Sequence, residues 1–424
     1  MVDIVQRLTG NASSLAGIYS ICSAHPWVLA AAMQQARDDG TPLLIESTSN
    51  QVDQFGGYTG MRPADFVRFV HALADENGLP RERVLLGGDH LGPNAWRSLP
   101  AAEAMERADV LIDAYVAAGF TKIHLDTSMA CADDPERLSD AVVAERAARL
   151  CAIAEAAATK RGGTRPVYVI GTEVPVPGGA SEALSTVEVT APEGALETAE
   201  VHRAAWRARG LDDAWQRVIA LVVQPGVEFD HTKVIDYEPA EAQHLSRVLE
   251  QLPGMVFEAH STDYQRADAL ANLVHDGFAI LKVGPGVTFA MREALYALAD
   301  IEAALLPAAE RSALPEVAER VMLRSPGNWE KYYHGDDDAR RLMRVYSYSD
   351  RIRYYWADAE LKAAAQKLID NLSRVDIPEN LLSRYLPEQY WKVRSGALDG
   401  SPMSLVLDRV REVIGMYASA CRRG

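Results

Sequence analysis

Eight short apolar runs, separated by longer stretches with helical spacing, constrain the fold of this chain more than any other feature. Each run is rich in β-branched residues and stops at a polar cluster, which is typical of a buried strand. The segments between them, such as residues 25–40 and 62–78, carry apolar residues at helical spacing and end in glycine. The runs lie at residues 17–23, 42–48, 84–90, 122–128, 166–174, 220–226, 255–261 and 279–285.

Strand followed by helix, repeated eight times, predicts an α/β protein built on a closed (β/α)8 TIM barrel. A doubly wound open sheet tolerates the same alternation and is the alternative. After about residue 300 the strand-like runs stop, so we predict a barrel over residues 1–300 and a helical extension packed on it over residues 301–424. The stretch at 175–200 is too long for an ordinary loop, and a lid over the site is one explanation.

Charge and composition exclude several classes of partner. The chain has 59 acidic residues against 43 Lys and Arg, and its formal net charge of −16 has the wrong sign for broad contact with nucleic acid. The 4 cysteines form no C-x-x-C pair, which is typical of a reducing compartment. Neither a signal-like N-terminus nor a long apolar segment is present, so we expect a cytoplasmic protein that does not bind membranes.

Titratable side chains stand at the carboxyl ends of most of the predicted strands. In a barrel these ends converge on one mouth, where active sites lie. A single polar strand end is equally well explained by its position at the surface, but so many together indicate a site. The strand ends carry Glu46, Asp89, His90, Asp126, Glu173, His260 and Lys282, and the loop after strand 6 adds Asp230 and His231.

Three of the histidines, His90, His231 and His260, could bind one divalent ion and leave positions open for substrate oxygens. The sequence has no compact local motif such as H-E-x-x-H, so this hypothesis depends on the fold. Any one of these residues is as readily a core or capping histidine. His124 illustrates that alternative, since it lies inside a strand run and is expected to point into the barrel wall.

Asp89 immediately precedes one of the proposed ligands. Alternation along a strand would send Asp89 and His90 to opposite faces unless the strand is interrupted. Gly87 and Gly88 permit a bulge there, which would let Asp89 face the substrate as a proton donor and acceptor. The alternative is an aspartate that caps the next helix.

The segment at 282–298 places two glycines and a threonine before a helical pattern, where barrels often bind phosphate. Ordinary turn chemistry explains the glycines as well. A later segment at 325–356 is dense in Tyr and Arg, which favours packing or an oligomer contact, with a phosphate-reaching arginine as the sharper alternative. The candidate substrate and phosphate ligands are Ser261, Lys282, Gly284, Gly286 and Thr288.

Several motifs together resemble the GatZ/KbaZ family of tagatose-bisphosphate aldolase subunits over nearly the whole chain. That family is similar in turn to the class II, metal-dependent aldolases, so the resemblance implies a TIM barrel and a divalent ion, Zn²⁺ above all. It also implies that Asp89 is the catalytic acid/base, that Glu173 is an acidic group close to the metal, and that His90, His231 and His260 are the ligands. The motifs are GGDHLGPNAW (87–96), KIHLDTSM (122–129), IGTEVPVPGGA (170–180), HSTDYQ (260–265) and SDRIRYYW (349–356).

The resemblance implies aldol chemistry on a ketohexose phosphate, and one departure bears on the substrate. Class II aldolases usually carry a glycine-rich phosphate loop after the strand 7 histidine, whereas Asp263 stands there in this chain. An aspartate repels phosphate, which favours a monophosphate or a free ketose over a bisphosphate. The expected reaction is cleavage of the C3–C4 bond of a tagatose phosphate or epimerisation at C4, which converts tagatose 6-phosphate into fructose 6-phosphate.

Two other functions follow from the same resemblance. Members of the family are known as non-catalytic subunits that support a separate aldolase chain, so an oligomer with such a catalytic partner is the alternative. A tagatose-6-phosphate kinase is disfavoured, because the sequence has no G-x-x-x-x-G-K-[ST] loop to hold a nucleotide.

Overall fold

The computed structural model describes residues 4–10, 15–172, 180 and 187–422. Its strands are β1 (Ile18–Ile21), β2 (Leu43–Thr48), β3 (Val84–Leu91), β4 (Lys122–Leu125), β5 (Val167–Ile170), β6 (Val218–Val222), β7 (Glu228–Phe229), β8 (Val234–Ile235), β9 (Val256–Ala259) and β10 (Ile280–Val283). All but β7 and β8 form one closed parallel barrel in the order β1-β10-β9-β6-β5-β4-β3-β2. Each predicted run coincides with or overlaps one barrel strand, which confirms the TIM barrel.

Helices cover the outside of the barrel, and local signals explain their ends. In α2, Pro26 stands at the first turn and Gly40 closes the helix with a φ of 71°, donating its N–H to the carbonyls of Ala36 and Arg37. The helices up to the last barrel strand and just beyond it are α1 (Ile4–Thr9), α2 (Pro26–Asp39), α3 (Pro63–Glu76), α4 (Ala101–Ala118), α5 (Asp140–Arg161), α6 (Pro192–Ala208), α7 (Asp212–Trp215), α8 (Pro239–Ser246), α9 (Ala267–His275) and α10 (Pro285–Leu305).

The remaining chain is helical and packs on the barrel. Its last helix, α16, lies against α2, α9 and α10, where Leu405, Val410 and Ile414 are buried. None of the helices in the described ranges is both long and apolar enough to cross a membrane. The helices of this part are α11 (Leu314–Arg324), α12 (Asp337–Tyr346), α13 (Ala359–Leu372), α14 (Glu379–Tyr385), α15 (Pro387–Arg394) and α16 (Pro402–Ala420).

The interior of the barrel is filled by two layers of side chains. Residues two apart on a strand share a face, so β1, β2, β9 and β10 contribute to both layers. The layer nearer the amino ends, which we call the apolar layer, includes Ile18, Leu44, Val256 and Ile280. Two residues further along the same strands, at the carboxyl ends, stand Ser20, Glu46, Glu258 and Lys282. With Lys122 of β4 they form what we call the charged layer.

Candidate active site

Carboxylates and ammonium groups pair across the charged layer. Lys122 Nζ lies 2.7 Å from Glu46 Oε1 and 2.7 Å from Glu258 Oε2. Lys282 Nζ contacts the other oxygen of Glu46 and lies 2.8 Å from Asp89 Oδ1. Gly87 makes room for this arrangement, because a Cβ at that position would stand 2.5 Å from Glu46 Oε1. Each of these buried charges therefore forms a salt bridge with at least one group of opposite charge.

Both lysines of the charged layer carry a proton. Burial alone would lower the pKa of each ammonium group, but the neighbouring carboxylates outweigh it. Glu258 and Glu46 raise the pKa of Lys122, and Asp89 and Glu46 raise that of Lys282 well above its usual range. A protonated amine is not a nucleophile, so these lysines provide fixed positive charge rather than a Schiff base.

A cluster of acids and imidazoles lies directly above the charged layer. His124 Nδ1 lies 2.9 Å from Asp89 Oδ1, and His260 Nε2 lies 2.9 Å from Glu258 Oε1. Donor atoms of Asp89, His124, Glu258 and His260 all lie within 4.8 Å of one another, and all four residues are buried. We call these four residues the acid–histidine cluster.

The donor set of the acid–histidine cluster fits a divalent ion. Nε2 of His124 is buried without a hydrogen-bond partner in the part of the chain that the structure describes, and such an atom is either a cost to the fold or a ligand. The carboxylates of Glu46, Asp89, Asp126 and Glu258 outnumber the cations beside them, which are the two lysine ammonium groups and His90. An excess of buried negative charge is compensated by a cation, and mixed imidazole and carboxylate donors suit Zn²⁺ or a similar ion.

A bulge brings Asp89 and His90 to the same side of β3. The pairing of β3 with β4 shifts register between Gly88 and Leu91, and His90 has a φ of 49°. As a result His90 Nε2 lies 3.7 Å from Asp89 Oδ2, and both residues line the pocket at the mouth. The interruption expected at the two glycines is therefore present, and Asp89 contacts His124 and Lys282 instead of capping a helix.

His90 stands beside the acid–histidine cluster rather than among its donors. Its ring centroid lies 4.9 Å from that of His260 and 5.2 Å from that of His124. Nδ1 lies 2.7 Å from Asp126 Oδ2, which leaves Nε2 directed at the pocket. Although burial lowers it, the pKa of His90 is raised by the carboxylates of Asp89 and Asp126.

Asp89 is ionised in this environment. Burial would raise its pKa, but the charges of His90 and Lys282 and the hydrogen bond to His124 lower the pKa well below its usual range. A carboxylate is the form that accepts a proton. Asp89 therefore presents a negatively charged carboxylate to the pocket.

His231, the third expected ligand, lies away from this cluster. Its Nδ1 is 3.1 Å from Ser347 Oγ and 3.2 Å from Ser349 Oγ, and its Nε2 is 3.0 Å from the carbonyl oxygen of Tyr332. Nδ1 thus faces the segment that follows α12, and Nε2 faces the segment that precedes it. The structure therefore does not bring His231, which was expected to bind metal, into the acid–histidine cluster.

The loop after β10 binds an internal carboxylate where a phosphate was expected. Asp263 Oδ1 accepts hydrogen bonds from the backbone N–H of Gly284 at 2.9 Å and of Gly286 at 2.7 Å. Thr288 donates its hydroxyl to Asp350 at 2.7 Å. Ser261, Lys282 and Gly284 line the pocket, whereas Gly286 and Thr288 are absent from its described lining.

The pocket at the mouth joins the barrel to the helical extension. Asn50, Gln51 and Tyr58 enter from the segment after β2, and Arg353 and Tyr354 enter from the extension. The rings of Tyr58 and Tyr354 meet edge to face, with centroids 5.0 Å apart. The Tyr- and Arg-dense segment at 325–356 therefore both packs within the extension, as Arg351 does on Tyr332, and reaches the pocket through Arg353.

Some site residues were not singled out from the sequence. His124 points into the interior of the barrel instead of its wall, and Lys122, two residues earlier, shares its face. Glu258 stands in the same way two residues before His260. The alternation along β4 and β9 carried this signal, because a residue two positions from an inward polar group is also inward. Glu173 lies outside the described residues, as do positions 175–179 and 181–186 of the expected lid, whereas positions 192–200 of it belong to α6.

Fold and site together define a TIM-barrel protein whose mouth holds a buried, metal-competent cluster of acids and histidines. A family model described as D-tagatose-1,6-bisphosphate aldolase subunit GatZ/KbaZ-like matches residues 1–422. The chain belongs to this family.

Solved structures resemble this chain to different degrees. A probable tagatose 6 phosphate kinase from Sinorhizobium meliloti 1021 shares 55% sequence identity over 96% of this chain and 100% of its own, with a TM-score of 0.89. The fructuronate-tagaturonate epimerase UxaE from Cohnella laeviribosi shares 12% identity over 95% of this chain and 81% of its own, with a TM-score of 0.49. The fructose-bisphosphate aldolase of Campylobacter jejuni shares 13% over 84% and 88%, with a TM-score of 0.43. The last two are too distant to inform function.

Proposed function

We propose that this chain catalyses aldol chemistry on a tagatose-type ketohexose phosphate with the help of a divalent ion, Zn²⁺ being the expected one. The observation that carries the proposal is the position of Asp89, an ionised carboxylate that lines the pocket and contacts His124 of the acid–histidine cluster at 2.9 Å. The family, which is described as a tagatose-bisphosphate aldolase subunit, supports the same class of reaction.

His124, Glu258 and His260 would hold the ion, and Asp89 and His90 would stay free beside it for the substrate. When bound, a divalent ion stabilises negative charge that develops on substrate oxygens during cleavage of a carbon–carbon bond. Glu173, which the family resemblance places near the metal, is retained in the proposal as a further acidic group. His231 is not retained, because its nitrogens face the extension.

Asp89 would transfer the proton, with Lys282 and His90 in supporting roles. Asp89 would accept the proton of the C4 hydroxyl as the C3–C4 bond breaks, and return it in the reverse direction. Lys282, 2.8 Å from Asp89, keeps this carboxylate ionised. His90 is oriented by Asp126 at 2.7 Å and can donate a hydrogen bond from Nε2 to a substrate oxygen in the pocket.

The same residues serve C4 epimerisation, in which the aldehyde fragment stays bound, turns over and is attacked on its other face. One observation favours this second outcome. Arg353 and Tyr354 of the extension line the pocket together with barrel residues, so the mouth is partly enclosed. An enclosed site holds a fragment long enough to recombine, whereas an open one releases it.

The family description also favours a role as the subunit of a hetero-oligomeric aldolase, in which a separate chain provides the catalytic site. A kinase has less support. The sequence has no nucleotide-binding lysine loop, and the backbone amides after β10 already bind Asp263.

The proposal is tested by incubating the metal-loaded chain alone with tagatose 6-phosphate and with tagatose 1,6-bisphosphate, then identifying the products by NMR. Triose products support cleavage, and fructose 6-phosphate supports epimerisation. The variant Asp89→Asn is the matched control, since it keeps the size of the side chain and removes its charge. No turnover by the chain alone, together with activation of a copurified aldolase chain, would establish the subunit role instead.

A further inference from the structure

Arg353 is delivered to the pocket by a segment that is firmly attached to the barrel. The backbone N–H of Tyr348 donates to the carbonyl of His231 at 3.0 Å, and Tyr264 donates its hydroxyl to the carbonyl of Tyr348 at 2.6 Å. Asp350 accepts a hydrogen bond from Arg292 at 2.7 Å. These anchors hold the backbone just before Arg353 on the barrel, which positions its guanidinium at the mouth.

Arg353 makes no salt bridge in the part of the chain that the structure describes, although the carboxylates of Asp263 and Asp350 are near enough to interact with its charge. Its guanidinium donates to the carbonyls of Ser349 and Asp350 and, at 2.8 Å, to the hydroxyl of Tyr354. The nearby Arg292 differs, because the carboxylate of Asp350 neutralises it at 2.7 Å. An arginine that lines a pocket and makes no salt bridge is a place for an anion to bind.

At the loop after β10, a possible anion site is already occupied by a carboxylate of the chain itself. There the backbone N–H groups of Gly284 and Gly286 would receive an anion, but the carboxylate of Asp263 takes both of them. Gly286 is packed closely, with the position of a Cβ only 3.1 Å from Asp263 Oδ1. A second phosphate would have to displace this carboxylate and would meet its negative charge.

We propose that the pocket recognises a single phosphate group of its substrate through Arg353, while Asp263 excludes a second one, so that the substrate is a ketohexose monophosphate. This inference rests on the proposed function for the sugar and concerns the charge that the sugar carries. Both residues then determine specificity. Arg353 favours a sugar with one phosphate over a free sugar, and Asp263 favours it over a bisphosphate.

The first test measures binding by calorimetry with the full metal-loaded chain, using tagatose 6-phosphate and free tagatose. We expect the phosphate to improve affinity at least tenfold in the wild type. Arg353→Gln should abolish this preference, and Arg353→Lys should retain part of it, since lysine keeps the charge without the planar fork. Arg341→Gln removes the same charge from an exposed position and should change nothing. An unchanged preference in Arg353→Gln would overturn the assignment.

The second test asks whether Asp263 blocks a second phosphate. Asp263→Ala frees two N–H groups and removes the charge, so it should bind tagatose 1,6-bisphosphate at least tenfold more tightly than the wild type does. Asp263→Asn keeps the size and should fall between the two, and it decides the matter if the alanine variant fails to fold. A wild type that prefers the bisphosphate would contradict the inference. Because binding needs no turnover, an inactive chain that shows these preferences would disprove the proposed reaction and leave the inference standing.

Discussion

The two layers inside the barrel differ by only two residues along each strand, yet their chemistry is opposite. Ile18, Leu44, Val256 and Ile280 form an apolar layer with at most 2% exposure. The next inward positions carry Ser20, Glu46, Glu258 and Lys282, also buried. An apolar side chain needs only neighbours, whereas a buried charge needs a partner at a defined distance. Each charged side chain of the charged layer therefore depends on its partners being present.

Stability explains the apolar layer but not the charged one. Burying a leucine or isoleucine side chain contributes about 1.5–3 kcal/mol. A buried ion pair loses in desolvation about what it gains in attraction, and apolar replacements of such sets are often neutral or stabilising. The charged layer and the acid–histidine cluster above it are the part of the barrel that is kept for function.

The largest expected effect is on catalysis and lies in Asp89. Asp89→Asn removes the proton acceptor and keeps the size of the side chain, so kcat should fall about 10²–10⁴-fold, the usual contribution of a general base. Steady-state assays with tagatose 6-phosphate measure this, and circular dichroism checks the fold. A variant with wild-type kcat would remove Asp89 from the mechanism.

The next largest effect is on stability, and it comes from removing Lys122 from the charged layer. Lys122→Met leaves Lys282 as the one lysine beside Glu46 and Glu258 among the described residues, so the free energy of unfolding should fall by about 3–5 kcal/mol, as for other broken buried pairs. Urea denaturation measures the loss. The triple replacement Glu46→Gln, Lys122→Met, Glu258→Gln should recover much of it, because no uncompensated charge is then left.

Leu44→Ala is the matched change in the apolar layer. Removing a fully buried leucine should cost about 2–5 kcal/mol through lost burial and the resulting cavity. The two variants thus have similar losses of stability, but only Lys122→Met should also change metal affinity, raising it because a positive charge 2.7 Å from Glu258 is removed. Equal metal affinity in both would mean that the two layers do not differ in function.

A smaller effect concerns the pH dependence of stability, and it arises from Glu228, a buried carboxyl group for which the structure shows no salt bridge among the described residues. Burial raises the pKa of Glu228 in the hairpin to about 7, above the ordinary value near 4.5. Between these values the folded protein holds a proton that the unfolded chain has released, so stability should decline as the pH rises from about 5 to 7. A tenfold change in proton affinity corresponds to about 1.4 kcal/mol, so Glu228→Gln should reduce this decline by about 1–3 kcal/mol. Thermal unfolding across this pH range measures it, and an unchanged slope would exclude Glu228 as its source.

Much of the fold followed from the sequence because the strand signal is local. Each apolar run of the barrel needs only its own residues and its neighbouring helix to be recognised. The convergence of Asp89, His90 and His260 also followed, since the carboxyl ends of all barrel strands meet at one mouth. Two consecutive glycines, Gly87 and Gly88, also predicted the bulge before His90.

The parts that the sequence did not reveal depend on contacts between distant segments. His231 was expected to bind metal because its loop leaves the mouth, but residues 347–349 of the extension engage its ring. The amides after β10 have the local pattern of a phosphate site, and only the folded chain shows Asp263 bound there. Arg353 is separated from the strand ends by helices, so its arrival in the pocket has no local signature.

The most direct test of the account is the metal content and affinity of histidine variants. The charged layer and the acid–histidine cluster should bind one divalent ion per chain, measured by mass spectrometry after dialysis and by titration with Zn²⁺. His124→Gln and His260→Gln should each lose most of the bound ion, whereas His231→Gln should retain it. An ion retained in His124→Gln and lost in His231→Gln would contradict the account and restore the ligand set expected from the sequence.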